Sequence, residues 1–106
     1  MMGDAERAES DFRALGAGIA AAEASQMFGK KCFKIGGKAF ICLFHDCAVF
    51  KLTGAAHGQA LALAGAVLFD PSGSGRAMKE WVQVPHLHQA LWPAFAAQAL
   101  AYVGGV

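Results

Sequence analysis

Apolar and polar positions follow two different rhythms along this chain. Between residues 4 and 22, Phe12, Leu15 and Ile19 recur at steps of three and four, the spacing of one stripe on a helix. Gly16 and Gly18 interrupt the stripe, each costing up to about 1 kcal/mol against alanine, so this helix needs a surface to dock on. The rhythm then shortens. Residues 25–35, 38–44 and 47–52 read as three strands of large apolar residues. Gly36-Gly37 joins the first two, and glycine enters the left-handed conformations that a tight hairpin turn needs. His45-Asp46 joins the next two without a glycine, relying on the turn tolerance of aspartate.

Tight turns set the register. Phe33 is expected opposite Phe40, Phe40 opposite Lys51, Cys32 opposite Ile41, and Ile41 opposite Phe50. Alternation then sorts two surfaces. One carries Phe33, Ile35, Phe40, Cys42, Phe44 and Val49, with Lys31, Lys38 and Lys51; the other carries Cys32, Ile41, Leu43, Ala48, Phe50 and Leu52, with Lys30 and Lys34. Both are apolar, whereas an antiparallel sheet covered on one side should show a polar second side. Either helices cover part of both faces or a second copy of the chain covers one. The second copy is the preferred reading, with Phe33, Phe40, Phe44 and Trp81 as expected contact residues.

The remainder alternates helix and strand. Thr53 is placed to cap a helix running to about Ala64, with Gly65 as its stop. Ala66 to Phe69 is a short strand, Asp70 to Arg76 a loop rich in turn residues, and Met78 to Val84 a fifth strand carrying Trp81. Pro85 is placed to open the last helix, and Pro93 predicts a kink or restart at Trp92-Pro93. The fold expected is a single α+β domain over 1–106. It has two layers and a mainly antiparallel five-stranded sheet, in the order α-β-β-β-α-β-β-α.

Composition sharpens this only in places. A chain of 106 residues accommodates one domain and one core. Three cysteines, an odd count, argue against a stapled secreted scaffold. No leader or membrane-spanning stretch is read, so the cytoplasm is the expected location. Net charge is only +1, but it is unevenly spread: Asp4, Glu6, Glu9 and Asp11 crowd the N-terminus, and lysines crowd the hairpins. Residues 27–81 carry Lys30, Lys31, Lys34, Lys38, Lys51, Arg76 and Lys79 against Asp46, Asp70 and Glu80, a local excess of +4.

Those cations are the first candidate site. A basic β-ribbon contacts phosphates and releases counterions; equally, lysines blunt sheet edges against aggregation. On residue content alone the solvated edge is the stronger reading. Cys42-x-x-His45-x-Cys47 offers zinc-type ligands, but at the wrong spacing, with Cys32 on the opposite face; the cysteines read as small buried hydrophobes, and no metal is expected. Nothing orients a base toward a nucleophilic cysteine. Gly73-Ser74-Gly75-Arg76 lacks the spacing and the Lys-Ser/Thr of a Walker loop and reads as a turn, leaving Arg76 and Lys79 as anion contacts. His86 and His88 read as solvated.

The hairpin MFGKKCFKIGGKAF, the strand AVFKL, the loop LFDPSGSGR and the segment MKEWVQVP before a final helix resemble the YjbR/MmcQ family and the related N-terminal domain of the competence regulator TfoX. The resemblance spans roughly residues 25–103 and contains no catalytic motif. It implies a non-enzymatic protein without a cofactor, of a group commonly labelled DNA-binding. Binding would run through Lys30, Lys31, Lys34, Lys38, Lys51, Arg76 and Lys79. These 106 residues hold no counterpart of the C-terminal helical domain of full TfoX regulators, so a transcriptional role of that kind is not expected. The alternative is a protein-interaction module, dimeric through an apolar sheet face.

Overall fold

The computed structural model describes residues 3–27 and 29–105. Phe28, inside the first expected strand, lies outside them. The elements run α1 (Asp4–Ala17), β1 (Glu23–Met27), β2 (Lys30–Ile35), β3 (Lys38–Phe44), β4 (Cys47–Lys51), α2 (Gly54–Leu61), β5 (Val67–Phe69), β6 (Met78–Pro85), a 3₁₀ segment (His86–Leu91) and α3 (Trp92–Gly104). The class is α+β, as the patterning implies. All six strands join one antiparallel sheet in the order β1-β2-β3-β4-β6-β5.

The sixth strand arises where one long strand was expected at 25–35. Gly29 takes φ +74° and folds that segment into a hairpin, pairing Ser25 with Cys32 and Met27 with Lys30. The last helix also starts later than expected. Pro85 closes β6, and the 3₁₀ segment follows it before α3 restarts at Trp92 with Pro93 in its first turn.

Register departs from the tight-turn expectation by one residue in β3. Phe33 pairs with Ile41 and Cys32 with Cys42, while Lys34 still pairs with Ala39, so Phe40 is the extra residue of a bulge. Phe40 and Ile41 therefore both pack into the cluster beneath the helices, and every later residue of β3 changes face. The pairing Ile41 with Phe50 stands as expected.

The helices share one face. Phe12 of α1, Ala60 of α2, and Trp92, Phe95 and Ala99 of α3 pack with Phe40, Ile41, Phe50, Val82 and Val84. The other face holds a second cluster of Cys32, Cys42, Val49, Phe69 and Trp81, with Met27, Ala39, Phe44 and Met78 against it. The chain closes this face by curling. Phe44 and Phe69 meet edge to face with ring centroids 5.3 Å apart, although β4 and β6 separate their strands. A flat sheet would hold those strands about 14 Å apart. The second apolar surface is thus buried without a second copy: Cys42, Val49 and Phe69 are fully covered and Trp81 is 6 % exposed.

The four contact residues expected at a subunit interface lie in different surroundings. Phe40 and Trp81 are buried within the chain and have no surface to offer. Phe33 and Phe44 are half-buried on opposite faces, Phe33 against Phe12 of α1 and Phe44 in the inner cluster. The four do not form one surface.

Candidate nucleic-acid interface

The hairpins position the lysines, and the register decides which of them share a face. Lys30 lies 5.1 Å from the centroid of the Phe44 ring, on the inner, helix-free face. Lys34 pairs with Ala39 and Lys51 with Trp81, both members of the inner cluster, so these side chains share that face. Their aliphatic stems are half-buried, as expected for lysines that lay methylenes on apolar surface and keep the ammonium in water. Glu23 stands directly opposite Lys34 across the β1–β2 pair.

The other cations go elsewhere. Lys31 points to the helix side and is hydrogen-bonded to Glu9 of α1, which also meets Arg13 at 3.5 Å. The Lys31 hydrogen bond and charge hold the Glu9 carboxyl below its ordinary range. Lys38 follows the Gly36-Gly37 turn, exposed, opposite Ile35 of the helix-side cluster. Arg76 and Lys79 are exposed, Arg76 in the β5–β6 loop and Lys79 near the start of β6. Of the seven expected contacts, the register therefore puts Lys30, Lys34 and Lys51 on one face, Lys30 at one end of β2 and Lys34 at the other, and turns Lys31 and Lys38 to the opposite face. Glu9 is the residue the sequence pattern did not reveal, because its pairing with Lys31 spans 22 positions.

The β5–β6 loop is organised around a carboxylate. Gly75 N–H donates to Asp70 Oδ2 at 2.8 Å, and Ser72 Oγ donates to Asp70 Oδ1 at 3.3 Å. Ser72 and Ser74 hydroxyls meet at 2.8 Å. The amide and hydroxyl that could cradle a phosphate are thus already spent on the loop's own carboxylate.

All three cysteines are buried free thiols. Burial, with the neighbouring Cys32 thiol, pushes Cys42 up to about 12; burial, with the Asp46 carboxylate, pushes Cys47 up to about 11. Burial also raises Cys32. Such thiols are poor nucleophiles at neutral pH. Among the described residues, no three His, Cys, Asp or Glu side chains converge as a metal cage would require.

His57, His86 and His88 each tie two elements together. His86 Nε2 donates to Asp11 Oδ2 at 2.6 Å, joining the 3₁₀ segment to α1, and its ring meets the Trp92 indole edge to face at 5.5 Å. His88 Nε2 donates to the Ala64 carbonyl, and His57 Nε2 to the Lys79 carbonyl, each at 2.8 Å.

A groove of about 560 Å³ runs between α1 and α3, lined by Leu15, Ile19, Pro93 and Leu100 among small residues. Among the described residues no helix is long and apolar enough to cross a membrane. No family model, curated protein or solved structure matches the chain.

Proposed function

We propose that this chain is a non-enzymatic, cytoplasmic binding protein of the YjbR and TfoX N-terminal kind, contacting nucleic-acid phosphates weakly through the inner face of its hairpins. The observation that carries the reading is the shared face of Lys30, Lys34 and Lys51, opposed there by Glu23. Three ammonium groups on a β-ribbon supply sequence-independent, salt-sensitive attraction. The arginine and amide side chains that read base edges are not among them.

Duplex DNA titrated across a salt series tests this. Wild type should bind at low salt with a steep dependence on salt concentration. Changing Lys30, Lys34 and Lys51 together to alanine should flatten the log–log slope by about 2–3. The matched pair Lys31→Ala with Lys38→Ala should change it by less than half as much. Equal effects of the two sets, or no binding at low salt, would remove the proposal.

The rival reading, a protein-interaction module, is favoured by the α1–α3 groove, where a partner helix would find Leu15, Ile19 and Leu100. It becomes the leading reading if DNA fails to bind.

A further inference from the structure

Cys32 and Cys42 are direct partners across β2 and β3, on the inner face. The hydrogen-bonding phase of this pair follows from the turn beyond it. Phe44 and Cys47 close the two-residue His45-Asp46 turn, and a closing pair of that kind exchanges backbone hydrogen bonds. Bonded and non-bonded pairs alternate, so Leu43–Ala48 is non-bonded and Cys42–Val49 is bonded. The Cys42 N–H and C=O therefore point to β4. On its other side Cys42 meets Cys32 as a non-hydrogen-bonded pair, in which α-carbons lie about 4.5 Å apart and side chains approach closely. A disulfide spans α-carbons about 4.4–6.8 Å apart. Cys47 has no such partner: it pairs with Phe44 and Pro85, and it lies two positions before Val49, the partner of Cys42.

We propose that Cys32 and Cys42 form an oxidation site, a dithiol on adjacent strands that a hydroperoxide converts to a cross-strand disulfide. The chemistry balances with hydrogen peroxide. Burial holds the Cys32 thiol protonated, and Lys34 two positions along the same face offsets this only in part, so Cys32 ionises when the strand edge opens. Its thiolate then attacks one oxygen, and the O–O bond breaks, leaving a sulfenic acid and hydroxide, which the released thiol proton converts to water. Cys42 sulfur then displaces the sulfenic oxygen as a second water and loses its proton as the S–S bond forms. Two thiols are oxidised and one peroxide is reduced to two waters. Both sulfurs are covered, so only a small oxidant reaches them, and the reaction waits on local opening of the β1–β2 edge. Once made, the bond fastens β2, and with it Lys30 and Lys34, to β3.

The test treats the reduced full-length chain with hydrogen peroxide in native buffer, caps remaining thiols, and maps peptides by mass. The expected product has lost two hydrogen atoms, links Cys32 to Cys42, and leaves Cys47 available for capping. Its thermal midpoint should rise on the order of 10 °C, reversed by reductant. Cys47→Ser should give the same link. This variant and the wild type decide the matter without requiring the core variants Cys32→Ser or Cys42→Ser to fold. A link to Cys47, oxygen addition without any link, or a 32–42 link that forms only in urea would each overturn the assignment.

Discussion

Gly16 and Phe33 show what a single residue controls here. As a helical glycine, Gly16 looks like a flaw worth up to about 1 kcal/mol. In the fold it is the space into which Phe33 of β2 fits, and a methyl group built there overlaps the end of the ring. Phe33 also lies 5.2 Å from the Phe12 ring, so it cannot turn toward α1 to escape. Overpacking of this kind costs about 1–3 kcal/mol, more than the helix propensity gained. Gly16→Ala should therefore lower the urea midpoint, and adding Phe33→Leu should recover part of the loss. A Gly16→Ala protein more stable than wild type would show that the ring swings out freely. The glycine itself was legible in the sequence; its partner, 17 positions later, was not, because a close approach between layers leaves no periodic mark.

At the scale of elements, the first α-helix and the 3₁₀ segment are joined by one polar tie on the rim of an apolar layer. Asp11 follows the acidic N-terminal turn of α1, and His86 follows the strand-ending Pro85; they meet only because α1 and the 3₁₀ segment lie side by side. A half-exposed charge-assisted bond of this sort contributes about 1 kcal/mol. A double-mutant cycle with Asp11→Ala and His86→Ala should return a coupling of that size, measured by urea unfolding near pH 6. Strictly additive losses would show the contact carries nothing. The bulge in β3 teaches the same lesson from the other side. Gly36-Gly37 and His45-Asp46 both made the tight turns their residues implied, His45 accepting φ +54° to do so. Yet Phe40, an apolar residue among apolar residues, gave no sign that it would be the inserted one. Its insertion moved Cys42 and Phe44 from the face of Phe33 to the face of Cys32, creating the cysteine pair and bringing Lys51 to the face of Lys30 and Lys34.

For the whole molecule, the consequence of a curled sheet is a stability that depends on alkaline pH. Burial raises all three thiols in the folded protein, Cys42 up to about 12 and Cys47 up to about 11. An unfolded thiol ionises near 8.5. Between those values the unfolded chain has released a proton that the folded chain retains, so stability is full below about pH 8.5 and falls as pH rises toward 12. Each fully mismatched thiol steepens the fall by up to about 1.4 kcal/mol per pH unit. Urea midpoints from pH 8 to pH 11 should decline for wild type and decline less for Cys42→Ala. Identical profiles would mean that the inner cluster admits water, and the curl inferred from Phe44 and Phe69 would lose its support.

By itself the chain determined the local events: the alternation of helical and strand segments, the Trp92-Pro93 restart, the Gly36-Gly37 and His45-Asp46 turns, and a meander apolar on both sides with basic residues along it. These follow from backbone preferences and periodicity, which act over a few residues. Tertiary structure alone decided how the second apolar side is covered, that Lys51 joins Lys30 and Lys34, which carboxylate meets Lys31, and which cysteines oppose one another. Those outcomes hang on one inserted residue and on the curvature of six strands. Both are properties of packing between segments distant in sequence, where many side-chain arrangements fit the same pattern and only the filled volume selects among them.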